Sequence, residues 1–157
     1  MVEKDVLKKI LFFKDLPDIV FEKVGMIANL ETFDEHTVLF DENHKLTHLY
    51  MLVSGKVYLS IKTASGKTLT LDKVMPGRTF GVAALTEEPS SSFAAVCAEK
   101  CSIITIPSDQ LHKLFVEDFK IGHTLMFKVA QLFKLRIERH TRQFLKTLAS
   151  YPEIKQL

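Results

Sequence analysis

The stretch Leu49-Tyr50-Met51-Leu52-Val53-Ser54-Gly55-Lys56-Val57-Tyr58-Leu59-Ser60-Ile61-Lys62-Thr63-Ala64-Ser65-Gly66-Lys67 decides the fold. Val57, Leu59 and Ile61 alternate with Tyr58, Ser60 and Lys62, the period-two pattern of a half-buried strand. Ser54-Gly55 and Ser65-Gly66 are turn signals, and glycine there suits tight turns that need a positive φ. They join three runs, Leu49–Val53, Lys56–Thr63 and Lys67–Val74.

Working outward, Pro76-Gly77 breaks the chain again. Phe93–Ala98 and Cys101–Ile106 read as a further strand pair around Glu99-Lys100, ended by Pro107. The period of two begins at about Leu30. Before it, Val6, Leu7, Ile10 and Leu11 have helical spacing over Asp5–Leu11. Pro17 opens a second short helix that carries Ile19, Val20, Val24, Ile27 and Ala28. After the strands, Ser108-Asp109-Gln110 reads as a helix start with Ser108 as N-cap, followed by Leu111, Leu114 and Phe115. A long helix then covers Phe119 to Leu148, interrupted only by Gly122. Many short strands at this spacing predict a sandwich or roll.

The bulk numbers agree with one globular domain. The chain has 157 residues, of which 46% are apolar and 25% charged, enough to bury a core. Twelve Phe and no Trp point to a Phe-rich core. No apolar run approaches the roughly 18 residues of a membrane span. Met1–Asp5 is polar and mixed in charge, without the apolar centre of a signal peptide. Two cysteines, Cys97 and Cys101, do not make a disulfide framework. These features imply a cytoplasmic protein with no membrane partner. The net charge is +2, yet residues 120–157 hold eight Lys/Arg against two Asp/Glu, so the body is mildly acidic. Such a tail suits an anionic partner, or a solvated face near its own acidic domain.

The long helix carries two apolar stripes. Leu125, Val129 and Leu132 form one. Met126, Ala130, Phe133, Ile137, His140 and Phe144 form another, stepping 4-3-4-3-4. That stepping is a coiled-coil seam. One stripe can cover the helix's own domain; the second predicts a homodimer, because Ile137 and Phe144 extend several turns past the last strand.

Several motifs, in order, resemble the cyclic nucleotide-binding domain family, the β-roll type of the catabolite activator protein and protein kinase A regulatory subunits. Phe12–Pro17 is similar to that family's opening Phe-x-x-Leu-Pro. Thr37–Glu42 is similar to its strand ending in Phe-x-Glu, and Leu49–Val57 to Leu-Tyr-x-Ile-x-x-Gly-x-Val. Pro76–Gly81 resembles Pro-Gly-Asp-x-Phe-Gly except at Arg78, and Ala94–Ala98 the strand after the pocket. The resemblance runs from about residue 10 to 150. It implies a mainly β fold with flanking α, an antiparallel double-stranded β-helix (jelly roll) with N-terminal helices and a long C-terminal helix. Residues 1–116 would be the roll and residues 117–157 the helix that acts as lid and dimerisation element.

The resemblance also places a ligand pocket at Phe80, Gly81, Val82, Ala83, Ala84, Leu85, Ser91, Ser92, Phe93 and Ala94. Gly81 would start a short helix whose amides face a phosphate. Family members that bind read Gly-Glu-x-Ala/Gly-Leu there, then Arg-Ser/Thr-Ala; the Glu holds the ribose 2′-hydroxyl and the Arg the cyclic phosphate. Here Val82 stands in place of the Glu and Ser92 in place of the Arg. No Arg lies between Arg78 and Arg136, so no small shift of alignment recovers one. A hydrogen bond to a charged group contributes about 1.5–3 kcal/mol, so losing both costs roughly 10²–10⁴ in affinity. Glu87 and Glu88 in the adjoining loop would oppose an anion further.

Other chemistry finds less support. His36, His44, His48, His112, His123 and His140 include no cupin-type metal pattern, and His123 or His140 as a haem ligand is a weaker reading than surface histidines. Iron–sulfur relatives need more than two cysteines, and Cys97 and Cys101 read as buried small apolar residues. No nucleophile–base–orienter set is present. Gly66-Lys67-Thr68 lacks the upstream glycine of a phosphate-binding loop. No catalytic residue, metal or cofactor is expected.

DNA-binding relatives carry a second domain after the long helix. Tyr151-Pro152-Glu153-Ile154 reads as a natural ending, so no sequence-specific DNA binding is expected. The reading is a stand-alone regulatory or sensor domain, non-enzymatic, with weak or absent cAMP and cGMP binding, which takes another small ligand or a protein partner. The alternatives are a true cyclic-nucleotide sensor with unusual contacts from Arg78, Lys100 or a helix Arg, and a ligand-free dimeric scaffold.

Overall fold

The computed structural model describes residues 1–151. The last three residues of the expected ending, Pro152, Glu153 and Ile154, lie outside them. The helices are α1 (Lys4–Leu7), α2 (Asp18–Ile27), α3 (Ser108–Glu117) and α4 (Phe119–Ala149). The strands are β1 (Asn29–Phe33), β2 (Val38–Phe40), β3 (His48–Ser54), β4 (Val57–Lys62), β5 (Thr68–Val74), β6 (Thr79–Phe80), β7 (Ala94–Cys97) and β8 (Cys101–Pro107). Short 3-10 turns lie at Leu11–Phe13 and Val82–Leu85. The first helix is therefore shorter than the periodicity over Asp5–Leu11 predicts.

Two four-stranded antiparallel sheets form, in the orders β1-β8-β3-β6 and β2-β7-β4-β5. The mainly β roll with N-terminal helices and a long C-terminal helix is as expected. One expectation fails. β7 and β8 do not pair around Glu99-Lys100: β7 pairs with β2 and β4, while β8 pairs with β1 and β3. Both pairings cross long sequence gaps because the turn carries the chain from one sheet to the other. Gly55 makes the corresponding corner between β3 and β4. Its φ is +98, and a Cβ there would lie 2.6 Å from the Lys100 carbonyl oxygen and 2.7 Å from Cys101 Sγ. The two corners thus touch, and only glycine fits between them.

β3 and β8 are buried on both faces, which explains their nearly unbroken apolar runs. Leu49 and Met51 of β3, with Ile104 and Ile106 of β8, join a core shared with Leu7, Phe13, Val24 and Leu111 of the helical layer. Tyr50, Leu52, Cys101 and Ile103 face a second core between the sheets, with Phe40, Leu59 and Ala95. α4 is anchored on the first of these by Ile121, Leu125 and Val129, with Leu132 partly buried. Gly122 allows α3 to approach: a Cβ there would lie 3.0 Å from the Phe115 Cβ.

The helix starts differ in one detail. Pro107, not Ser108, occupies the cap position of α3, with no side-chain cap bond; the Ser108 amide donates to the Thr47 carbonyl at 2.9 Å. α4 instead has a true side-chain cap, Asp118 accepting from the Ile121 amide at 3.1 Å.

Candidate functional site

β6 leads into the segment expected to form the pocket. Gly81 is left-handed, with φ 73, and turns the chain into Val82–Leu85. A Cβ on Gly81 would meet Tyr50 Cδ2 at 2.9 Å, so the strand-to-turn corner packs directly on that ring. Phe80 is fully buried and stacks on Tyr50 with ring centroids 5.3 Å apart. Phe40 lies 5.5 Å from Tyr50 and 6.3 Å from both Phe80 and Phe93. Four aromatic rings therefore occupy the space between the sheets beside this turn. Burial, then the negative charge of Glu31, raise the Tyr50 hydroxyl above its ordinary pKa, so it stays neutral.

The expected pocket residues divide. Phe80 and Ala84 belong to the inter-sheet core, with Ala83 and Phe93 packed against it. Val82 and Leu85 instead belong to the helix-side core. Val82 is 2% exposed. Its side chain sits where a carboxylate would be desolvated rather than presented to a ligand. Ala94 is buried. Ser91 is buried with its Oγ accepting from the Phe93 amide at 3.2 Å, while Ser92 is exposed. The loop between is held to the β2–β3 connection: the Asn43 amide donates to Ser91 O at 2.7 Å, and the Leu46 amide to Pro89 O. Glu87 and Glu88 are exposed.

On α4 the stripe Met126, Ala130, Phe133, Ile137, His140 and Phe144 is exposed along its whole length. The Leu125–Val129–Leu132 stripe packs on the chain's own helical layer. The free thiols do not make a nucleophile. Burial first, then Cys101, push the Cys97 thiol up to about 12, which leaves almost no thiolate at neutral pH. Among the described residues no three His, Cys, Asp or Glu side chains converge to hold a metal ion.

A larger opening lies elsewhere. A groove of about 670 Å³ runs between α4 and the chain from Asp72 to Thr79, floored by Leu11, Phe12, Leu132 and Leu135. Arg136 projects into it and donates to the Thr79 carbonyl at 3.4 Å. Burial, then Arg139, push the Arg136 guanidinium below its ordinary range, with Asp72 acting the other way. Asp72 is ion-paired to Arg139. Arg78 also lines this groove, but Lys100 is on the far corner where the sheets meet. The sequence signal for the groove was the Arg136–Arg139–Arg142 spacing, which places three guanidinium groups on one helix face; Asp72 and Thr79 carried no signal.

A family model described as a cyclic nucleotide-binding domain matches residues 30–118. A putative cyclic nucleotide-binding protein of Geobacter metallireducens GS-15 is 26% identical and superposes with a TM-score of 0.76, covering 87% of this chain and 99% of that one. The catabolite activator protein of Thermus thermophilus, 22% identical, covers 88% of this chain and 62% of its own, with a TM-score of 0.73; at that identity the likeness is one of fold. The anaerobic regulatory protein of Bacillus subtilis (strain 168) is 28% identical over 100 residues, 63% of this chain and 42% of that protein. The match thus spans less than half the length of that curated relative.

Proposed function

The chain belongs to the cyclic nucleotide-binding domain family, and from that premise we propose that it is a non-enzymatic regulatory module whose pocket at Gly81–Ala94 holds cAMP and cGMP only weakly. The observation that carries this reading is the placement of Val82. The position that would offer an acceptor to the ribose instead supplies an apolar side chain to the helix-side core. Ser92 is exposed and uncharged, so nothing there neutralises a phosphate. The rings of Phe40, Tyr50, Phe80 and Phe93 take up the adjoining space. Relatives with regulatory names, such as the anaerobic regulatory protein, support a role in regulation.

In this reading residues 1–116 form the sensing body, and the helical segment that follows acts as lid and dimer contact. The exposed 4-3-4-3-4 stripe on α4 supports a homodimer: large apolar side chains at coiled-coil spacing gain most when a second helix covers them. No described helix is long and apolar enough to cross a membrane.

Calorimetry of the unmodified chain tests the pocket. Dissociation constants for cAMP and cGMP of about 1 mM or weaker are expected; micromolar binding overturns the reading. Sedimentation at tens of micromolar should show a dimer, and Ile137→Asp should dissociate it, because a carboxylate buried in an apolar seam has no partner. A monomeric wild type rejects the α4 contact.

A further inference from the structure

We infer that the groove between α4 and the Asp72–Thr79 segment is a binding site for a small polyanion of the polyphosphate class, separate from the Gly81–Ala94 pocket. None of the residues from Phe80 to Cys97 lines it. Its volume of about 670 Å³ falls in the range of small-molecule sites.

The charge of the walls is one-sided. Lys73, Arg78, Lys128, Arg136, Arg139 and Arg142 line the groove against two carboxylates, Asp72 and Glu138. Both carboxylates are already engaged, Asp72 by Arg139 and Glu138 by Lys134, which lies outside the groove. Among the described residues, Lys73, Arg78, Arg136 and Arg142 form no ion pair. A partly buried guanidinium is ordinarily paired. Arg136 has only the long contact to the Thr79 carbonyl, and its nearest charged neighbours include another arginine.

A second observation points the same way. Thr79 lines the groove, is 6% exposed, and its hydroxyl is buried with no hydrogen-bond partner among the described residues. A buried hydroxyl left unpaired carries a desolvation cost, which a rotation of the Thr79 side chain toward an acceptor in the groove would relieve. Arginine supplies planar forks that grip phosphate oxygens in pairs. Three of them on α4, at positions 136, 139 and 142, span roughly 9 Å along the helix at 1.5 Å per residue. That length fits a chain of linked phosphates better than a single one. The apolar floor of Leu11, Phe12, Leu132 and Leu135 would carry an organic body, so the arms of the test must separate a bare polyphosphate from one bearing a base.

Calorimetry with inorganic tripolyphosphate and with ATP on the full chain reads the site. Saturable one-to-one binding is expected for tripolyphosphate, with tighter ATP binding if the apolar floor is used and equal binding if charge alone is read. Arg136→Gln should weaken binding roughly tenfold or more. Arg142→Gln, at an exposed position that does not support the core, should weaken it by a smaller factor, and keeps the test valid if Arg136→Gln unfolds. Lys120→Gln, equally cationic but outside the groove, should change nothing. No binding heat overturns the site. So does an equal loss in Arg142→Gln and Lys120→Gln, which would mean diffuse attraction to a basic surface. The result is independent of cAMP affinity, so a failure here and a failure of the pocket reading are told apart by which titration misbehaves.

Discussion

The groove along α4 and the turn at Gly81 meet at adjacent residues, Thr79 and Phe80, yet they are opposites. Around the turn the side chains are aromatic or aliphatic, packed on both sides, and carry no charge. Along the groove cations outnumber carboxylates three to one, and the space is open. The lesson is that adjacent residues of one roll can face a closed apolar core on one side and an open basic groove on the other. Packing fixes the strand that ends at Phe80, because its ring is part of the inter-sheet core. Neighbouring backbone on the other side of Thr79 meets the part of α4 beyond Val129, where Leu132 and Arg136 are half-buried and Leu135 and Arg139 exposed.

Placing the same charge in each region is the severest way to break that comparison. Val82→Glu should cost about 3 kcal/mol or more, read by urea unfolding, because the carboxylate enters an apolar core without a partner. Leu135→Glu, at an exposed position on the groove floor, should shift stability by no more than about 0.5 kcal/mol and should weaken tripolyphosphate binding. If Val82→Glu is tolerated and cAMP affinity rises with it, the turn is not closed and the contrast fails. A smaller effect sharpens the other side. Thr79→Val removes an unpaired buried hydroxyl and keeps the shape, so it should be neutral or stabilise by up to about 1 kcal/mol in the absence of ligand. A loss of more than that would mean that the hydroxyl already has a partner.

Much of the architecture was legible. The glycine turns at Gly55 and Gly66 and the period of two in β4 locate three strands to within a residue or two, since turn chemistry and alternation are local signals. The long helix was equally plain, and its inner stripe of Leu125 and Val129 does pack on the body. What was not legible depended on contacts across the chain. Glu99-Lys100 looks like a hairpin connection, but a short polar turn serves equally well as a corner between sheets; only the both-face burial of β8 distinguishes them. The direction of Val82 was hidden for the same reason, because a valine in a 3-10 turn can serve either core. The groove was hidden most deeply. Residues 72–75 carry no motif, Pro76–Gly81 reads only as a chain break and part of the family pattern, and the basic face of α4 reads as solvated until the fold lays one against the other.

The corner where Gly55 meets Lys100 and Cys101 has a consequence for the order in which the molecule assembles. β3 and β8 register His48 against Pro107 and Leu52 against Ile103, partners separated by about 50 to 60 residues of chain, and closing so long a loop is slow. α3 packs against β8, and α2 and α4 pack in turn on α3, so the helical layer has no complete seat before that pair forms. A substitution at Gly55 would therefore act as a kinetic lesion: the nascent chain would linger with its helices undocked and the apolar stripes of α4 in water, long enough for self-association to compete with folding.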